Sequence, residues 1–160
     1  MTIENEIKQQ VFKNPYHKLA VNLMFTHSWF MSYVKGFFKK ESITPNQYNI
    51  LRILRGSSPR PLSTLQIRER MMDKMSDTSR LVDRLVIKKL VTKKVSKADN
   101  RLVDVEITQN GLRVLMKLDD IEGKIASMFK NLSVEEALHL SNLLDKLRTN
   151  KASNANASDY

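Results

Sequence analysis

Cysteine is absent from the 160 residues, which excludes disulfides, thiolate metal sites and thiol-based redox switching. The three histidines, His17, His27 and His139, lie far apart in sequence, so no metal-ligand set is expected. There are four glycines, and neither a GxGxxG turn nor a phosphate-cradling loop can be read from them. No apolar run reaches the roughly 18 residues needed to cross a bilayer. The stretch Met1-Thr2-Ile3-Glu4-Asn5-Glu6 is polar and acidic with no apolar segment behind it, so no signal peptide is expected and the expected compartment is the cytoplasm. No nucleophile–base pair, ligand cluster or carboxylate pair has supporting context, so neither an enzyme nor a cofactor is expected.

What the chain does have is positive charge, and it is localised. The net formal charge is +10. Residues 52–101 carry fourteen Lys or Arg against five Asp or Glu; residues 1–51 carry six against three, and residues 102–160 seven against nine. Nearly all the excess therefore sits in one central segment. A duplex presents a dense line of phosphates whose condensed counterions are released on neutralisation, so a concentrated basic segment favours a nucleic-acid partner.

Hydrophobic spacing divides the chain into elements. Asn14-Pro15 favours a helix start, and residues 16 to about 40 form one long helix with Leu19, Leu23, His27, Phe30, Val34 and Phe37 on a stripe. Met24, Met31 and Phe38 widen that stripe, and Val21, Phe25 and Trp29 add another face. A helix apolar on so many sides needs cover on several sides, and a second copy of the chain is the economical cover. Residues 1–13 are polar and expected to fray. Thr44-Pro45-Asn46-Gln47 and Ser63-Thr64-Leu65-Gln66 are capping boxes opening two further helices, the latter with Leu65, Ile67 and Met71 toward the core. Asp73-Lys74-Met75 forms a turn. The next helix, from Ser76 to about Lys89, points Leu81, Val82 and Leu85 inward and leaves Asp77, Arg80, Arg84 and Lys88 outward. The period then changes to two in Val91–Val95 and Val103–Ile107, with turn chemistry at Asp99-Asn100 between them. Thr108 caps one helix carrying Leu112, Leu115, Ile121, Ile125, Met128 and Phe129. Ser133-Val134-Glu135-Glu136 opens the last helix, with Ala137, Leu140, Leu144 and Leu147. The tail has nothing to bury and is expected to be disordered.

The expected fold is mainly α with a small β-hairpin wing (α+β): a winged helix-turn-helix with a helical dimerisation region. Its expected divisions are an N-terminal arm and dimerisation helix over residues 1–43, a DNA-binding lobe over 44–107, C-terminal dimerisation helices over 108–149, and a tail over 150–160. The run Asp77-Thr78-Ser79-Arg80-Leu81-Val82-Asp83-Arg84-Leu85, then Leu90-Val91, the wing tip Asp99-x-Arg101 and Val105-Glu106-Ile107-Thr108, resembles the MarR family of bacterial transcriptional regulators over roughly residues 15–149. The resemblance implies a homodimer built from the first and last helices that binds a palindromic operator, usually as a repressor, and that a small aromatic or phenolic molecule releases. One departure stands out: the family often has glycine where this chain has Lys89, just past the recognition helix. Glycine accepts a left-handed C-cap at low cost, whereas lysine either adopts that conformation at about 1 kcal/mol or the helix ends differently.

The resemblance assigns base or phosphate contact to Arg80; Ser76, Asp77, Thr78 and Ser79 stand at the helix N-terminus, where they can reach base edges or phosphates, and Arg84 either holds a phosphate or pairs with Asp83 or the wing. The guanidinium of Arg80 can read guanine O6 and N7, and Asp77 can accept from cytosine N4 or favour the helix dipole. Ser76 is either a base or phosphate contact or a plain cap. On the wing, Arg101 matches the arginine that enters the minor groove, Asp99 the acid that orients it, and Lys93, Lys94 and Lys97 are phosphate neighbours. His17, His27, Trp29 and Tyr33 are candidate walls of an aromatic effector pocket, the alternative for the histidines being plain hydrogen-bonded packing. Two other functions stay open: an architectural DNA-binding protein without an effector, and a winged-helix adaptor that binds protein.

Overall fold

Side-chain caps fix where the central helices begin. The computed structural model describes residues 1–96 and 102–149, and among them eight helices and two strands form. Asn14 accepts from the His17 backbone N–H and Pro15 follows at the first helical position, starting α2 (Pro15–Lys39). Thr44 and Gln47 close a reciprocal capping box at the start of α3 (Pro45–Ser57), and Ser63 and Gln66 do the same for α4 (Thr64–Arg70). Asp77 caps α5 (Thr78–Ile87). Strand β1 (Val91–Val95) pairs antiparallel with β2 (Val103–Ile107), with Val91 opposite Ile107 and Lys93 opposite Val105. Thr108 then caps α6 (Gln109–Lys117).

The chain divides into two compact units, Met1–Asp119 and Asp120–Tyr160. In the first unit α3 is the central element, touching α2, α4, α5, α6 and β2. Its Ile50, Leu51 and Leu54 are fully buried together with Ile67 of α4, Val82 and Leu85 of α5, Val105 of β2 and Leu115 of α6. Leu62, just before α4, bridges to Val105 through two backbone hydrogen bonds of 2.9 and 3.1 Å, giving the hairpin a third, one-residue edge that alternation alone does not reveal.

Several sequence expectations need correction. Residues 1–13 are not simply frayed: α1 (Ile3–Ile7) forms, Ile3 is buried, and the Glu4 carboxylate meets the Lys18 amine at 2.5 Å. The pairing is the first cause holding the Glu4 carboxyl below its ordinary range. Ile3 and Ile7, four apart, share one helix face, which is what makes so short a segment worth folding. Leu65 does not face the core but is 58% exposed. Ile67 and Met71, four apart, take the inward stripe of α4, and a residue two positions before Ile67 lies on the far side of the helix. The single helix expected after Thr108 is two, α6 and α7 (Ile121–Ser127). Between them, Asp119 is engaged by Arg55 of α3 at 2.9 Å, and two consecutive aspartates disfavour helix continuation.

In the second unit, α7 is followed by α8 (Val134–Thr149), whose start is the expected capping box: Ser133 Oγ accepts from the Glu136 N–H, and the Glu136 carboxylate accepts from the Ser133 N–H. No residue of α8 is buried, and Leu138, Leu140, Leu143 and Leu147 are all exposed. On α2 likewise only Val34 and Phe38 are buried, while Leu19, Leu23, Met24, Phe25, Trp29 and Tyr33 are open to solvent. Residues 150–160, where a disordered tail is expected, lie outside the described residues.

Lysine 89 resolves the cap question posed by the sequence. It sits at φ 59°, in the left-handed region. The Leu90 N–H reaches the Leu85 carbonyl at 3.0 Å and the Lys89 N–H reaches Val86 at 2.8 Å. This is the Schellman pattern, with Leu85 and Leu90 both buried as its apolar pair. The lysine thus adopts the conformation that glycine would take more easily.

Candidate nucleic-acid interface

The turn between α4 and α5 is organised by one carboxylate. Asp73 Oδ1 accepts from the Met75 N–H at 3.1 Å, while Oδ2 accepts from the Ser76 hydroxyl at 2.6 Å and from the Asn46 side-chain amide at 3.1 Å. Asn46 also donates to Ser76 Oγ at 2.7 Å. These bonds, led by that of Ser76 and followed by that of Asn46, hold the Asp73 carboxyl below its ordinary value. The chain then enters α5 through Asp77, whose Oδ1 accepts from the Arg80 N–H at 3.1 Å.

The buried stripe of α5 is Thr78, Val82 and Leu85. The opposite face presents Arg80, whose side chain is 81% exposed and whose Nε meets Asp77 Oδ2 at 3.2 Å. Ser79 and Arg84 are exposed on the same helix. Asp83 is held by Lys93 of β1 at 2.8 Å, which ties the hairpin to α5. Lys94 is exposed and faces Asp104 across the hairpin. Lys97, Asp99 and Arg101 lie outside the described residues. A groove of about 440 Å³ opens between α4 and the start of α5, lined by Thr64, Leu65, Arg68 and the run Met75 to Ser79.

This geometry leaves Asp77, Ser79 and Arg80 on one open face and gives two expected contacts, Thr78 and Ser76, partners within the lobe. Thr78 turns inward: it is 5% exposed and its hydroxyl donates to the Met71 sulfur at 3.3 Å. One position after the cap it falls on the same side of the helix as Val82, four residues on, so its side chain serves packing. Ser76 does not cap α5, since Asp77 does; its hydroxyl is occupied by Asp73 and Asn46. Lys88, expected outward in line with Arg80 and Arg84, instead sends its amine to the Ser42 carbonyl and to Gln47 Oε1, the latter at 3.2 Å. In the sequence Asn46 and Gln47 stand out only as part of a capping box and Asp73 only as a turn residue, not as parts of the site. The one available signal was an aspartate three residues before a serine in a tight turn, a common side-chain-to-backbone turn pattern.

The four candidate effector residues do not share one cavity. Trp29 lines a cavity of about 220 Å³ with Phe25, Thr26 and Ile3. Tyr33 packs on Trp29 with ring centroids 5.6 Å apart. His17 sits at the start of α2, its Nδ1 accepting from the Lys13 N–H and its ring edge-on to Phe12. His27 is exposed, and ten helical residues separate it from His17, about 15 Å along the axis. Among the described residues no helix is long and apolar enough to cross a membrane, and no cluster of His, Cys, Asp or Glu could hold a metal ion.

No family model matches the chain. It is 25% identical over 134 residues to the HTH-type transcriptional regulator MhqR of Bacillus subtilis, spanning 83% of this chain and 91% of that protein. Among solved structures, a MarR transcription factor from Planctomyces limnophilus is 27% identical, with a TM-score of 0.65 over 84% of this chain and 98% of that one. The S. aureus MepR–DNA complex has a TM-score of 0.73 at 20% identity, covering 88% of this chain and 99% of that one, and so shares the fold.

Proposed function

We propose that this winged helix-turn-helix chain is a MarR-type regulator, and on that premise a homodimeric, sequence-specific DNA-binding repressor. The observation that carries this reading is the open face at the start of α5, where Arg80 stands 81% exposed and oriented by Asp77. The basic excess of residues 52–101 flanks it in sequence. Arg80 is aimed at guanine in the major groove, Asp77 is an acceptor beside it, and Ser79 and Arg84 contact bases or phosphates. Lys94 and Lys97 lie against phosphates. Lys93 is a weaker candidate for such a contact because Asp83 already holds its amine. Arg101 enters the minor groove with Asp99 orienting it.

The exposed apolar residues of α2 and α8 support dimerisation through the outer helices. Two copies would place their recognition helices about 34–36 Å apart on one face of a palindromic operator. Promoter occupancy is the means of repression, and the cytoplasm is the compartment. Release by a small aromatic or phenolic ligand, with Trp29 and Tyr33 as the nearest aromatic pair, requires that the ligand bind one dimer spacing better than the other. The test is sedimentation of the purified protein followed by selection from a random duplex library. A dimer that enriches an inverted repeat is expected; a monomer, or no enrichment over bulk sequence, overturns the reading. A phenolic and metabolite panel that leaves operator affinity unchanged removes the ligand step alone.

A further inference from the structure

We propose that the first turn of α3 sets the position of the recognition helix by holding it at both ends, with Asn46 and Lys88 as positioning residues. The inference rests on the DNA-binding reading above and adds two residues to it. Asn46 and Gln47 are consecutive in the first turn of α3. Asn46 donates its amide to Ser76 Oγ at 2.7 Å and to Asp73 Oδ2 at 3.1 Å, immediately before the N-cap of α5. Gln47 is 2% exposed, and its Oε1 accepts from the Thr44 N–H at 3.1 Å and from Lys88 Nζ at 3.2 Å. Lys88 is the C-cap residue of the same α5. Its amine also reaches the carbonyl of Ser42, a residue at φ 53° in the connection from α2.

Two neighbouring residues of one helix thus grip the two ends of another. A lysine four residues beyond Arg84, and eight beyond Arg80, belongs by helical spacing to the charged outer stripe. A solvated or phosphate-seeking amine has no reason to turn back onto two oxygens of the lobe. Here it does, and a buried glutamine supplies one of them. What the contact provides is a fixed tilt of α5 relative to α3, and with it a fixed direction for Arg80. The side-chain amide at the other end holds the turn that leads into α5, so a pivot of α5 breaks the Lys88 bond to Gln47 or moves it against a turn that Asn46 holds.

The experiment compares Lys88→Met, Lys88→Arg and Asn46→Ala with the wild-type chain for binding to the selected operator and to unrelated duplex over a salt series. Lys88→Met is expected to lower operator affinity by about two- to thirtyfold, the range in which residues acting through others operate. Affinity for unrelated duplex and the slope of affinity against salt should stay as they were, because no phosphate contact is lost. Lys88→Arg, which still donates to the same oxygens, should restore most of the loss, and Asn46→Ala should show the Lys88→Met signature. A slope reduced by about 1 in Lys88→Met makes Lys88 a phosphate ligand and overturns the proposal. So does an unchanged operator affinity, or an equal loss on both duplexes. If Asn46→Ala does not fold, Lys88→Met decides alone, since the residue is exposed. If the wild-type chain selects no duplex, it is the DNA-binding reading that fails. The grip on α5 is then read from amide exchange, which must quicken along α5 in Lys88→Met and is refuted if it does not.

Discussion

Asp77 uses both carboxylate oxygens on Arg80, accepting from its backbone N–H through Oδ1 at 3.1 Å and holding its Nε through Oδ2 at 3.2 Å. The two bonds do different work. The first is a helix cap, which is worth about 1 kcal/mol. The second joins two groups that are 57% and 81% exposed, and an ion pair so open to solvent contributes little stability. Its effect is to orient. Asp77→Ser keeps a capping hydroxyl and releases the guanidinium. Chemical denaturation should therefore find stability within a few tenths of a kcal/mol of wild type, while the ratio of operator to unrelated-duplex affinity falls. A variant with unchanged selectivity would show that the pair has no part in reading DNA.

Lys89 occupies a left-handed position at φ 59° that its side chain disfavours. Lys89→Gly removes the steric penalty, offset in part by the greater freedom of glycine in the unfolded chain. The expected gain is about 1 kcal/mol in urea unfolding, with operator binding retained. A loss of stability would contradict the Schellman geometry described for this helix end.

Gly111 lies where α6 presses on the exit from α5. A Cβ there would stand 2.3 Å from the Leu90 carbonyl oxygen and 2.7 Å from Ile107 Cγ1. Both neighbours are fixed, the first by its hydrogen bond from Thr108 N at 3.1 Å and the second by the hairpin. Alanine is the better helix former, yet the clash outweighs that preference. Gly111→Ala should destabilise the chain by about 1–3 kcal/mol, seen as a lowered denaturation midpoint.

Asp73 contributes to the acid-side pH dependence. Its carboxyl is held below the ordinary 3.8 by the Ser76 hydroxyl first and the Asn46 amide second. A depressed folded-state value means that the stabilisation is present in full above the unfolded value and fades as pH falls through the folded one. The stability difference between wild type and Asp73→Ala should hence be constant from neutral pH down to about pH 5 and shrink below about pH 4. A difference that changes between pH 6 and 8 would assign the effect to another group.

Helix starts were legible in the sequence because caps are local. Asn14, Thr44, Ser63, Thr108 and Ser133 each satisfy an N–H within three residues, so short-range chemistry is enough to find them. The hairpin was legible for a similar reason, its alternation being confined to five residues a side. What escaped was set by partners distant in sequence. Lys88 turns back to Gln47, 41 residues away, and Asn46 reaches Ser76 across 30. Leu65 reads as core because an apolar residue two positions before a buried one is assigned inward until the helix phase is known. The candidate site was therefore visible as a run of residue types, while the contacts that aim it were not.

Footprinting of a promoter-bearing duplex with wild-type protein and with Arg80→Ala, at fixed physiological salt, tests the proposed DNA-reading face most directly. Wild type should protect two half-sites one helical turn apart, about 34–36 Å. Arg80→Ala should lose that protection at the same concentration, an affinity loss of about 1–3 kcal/mol at the contacted base pair. Equal protection of the same sequence by both proteins would contradict the assignment of Arg80 as a reader of DNA.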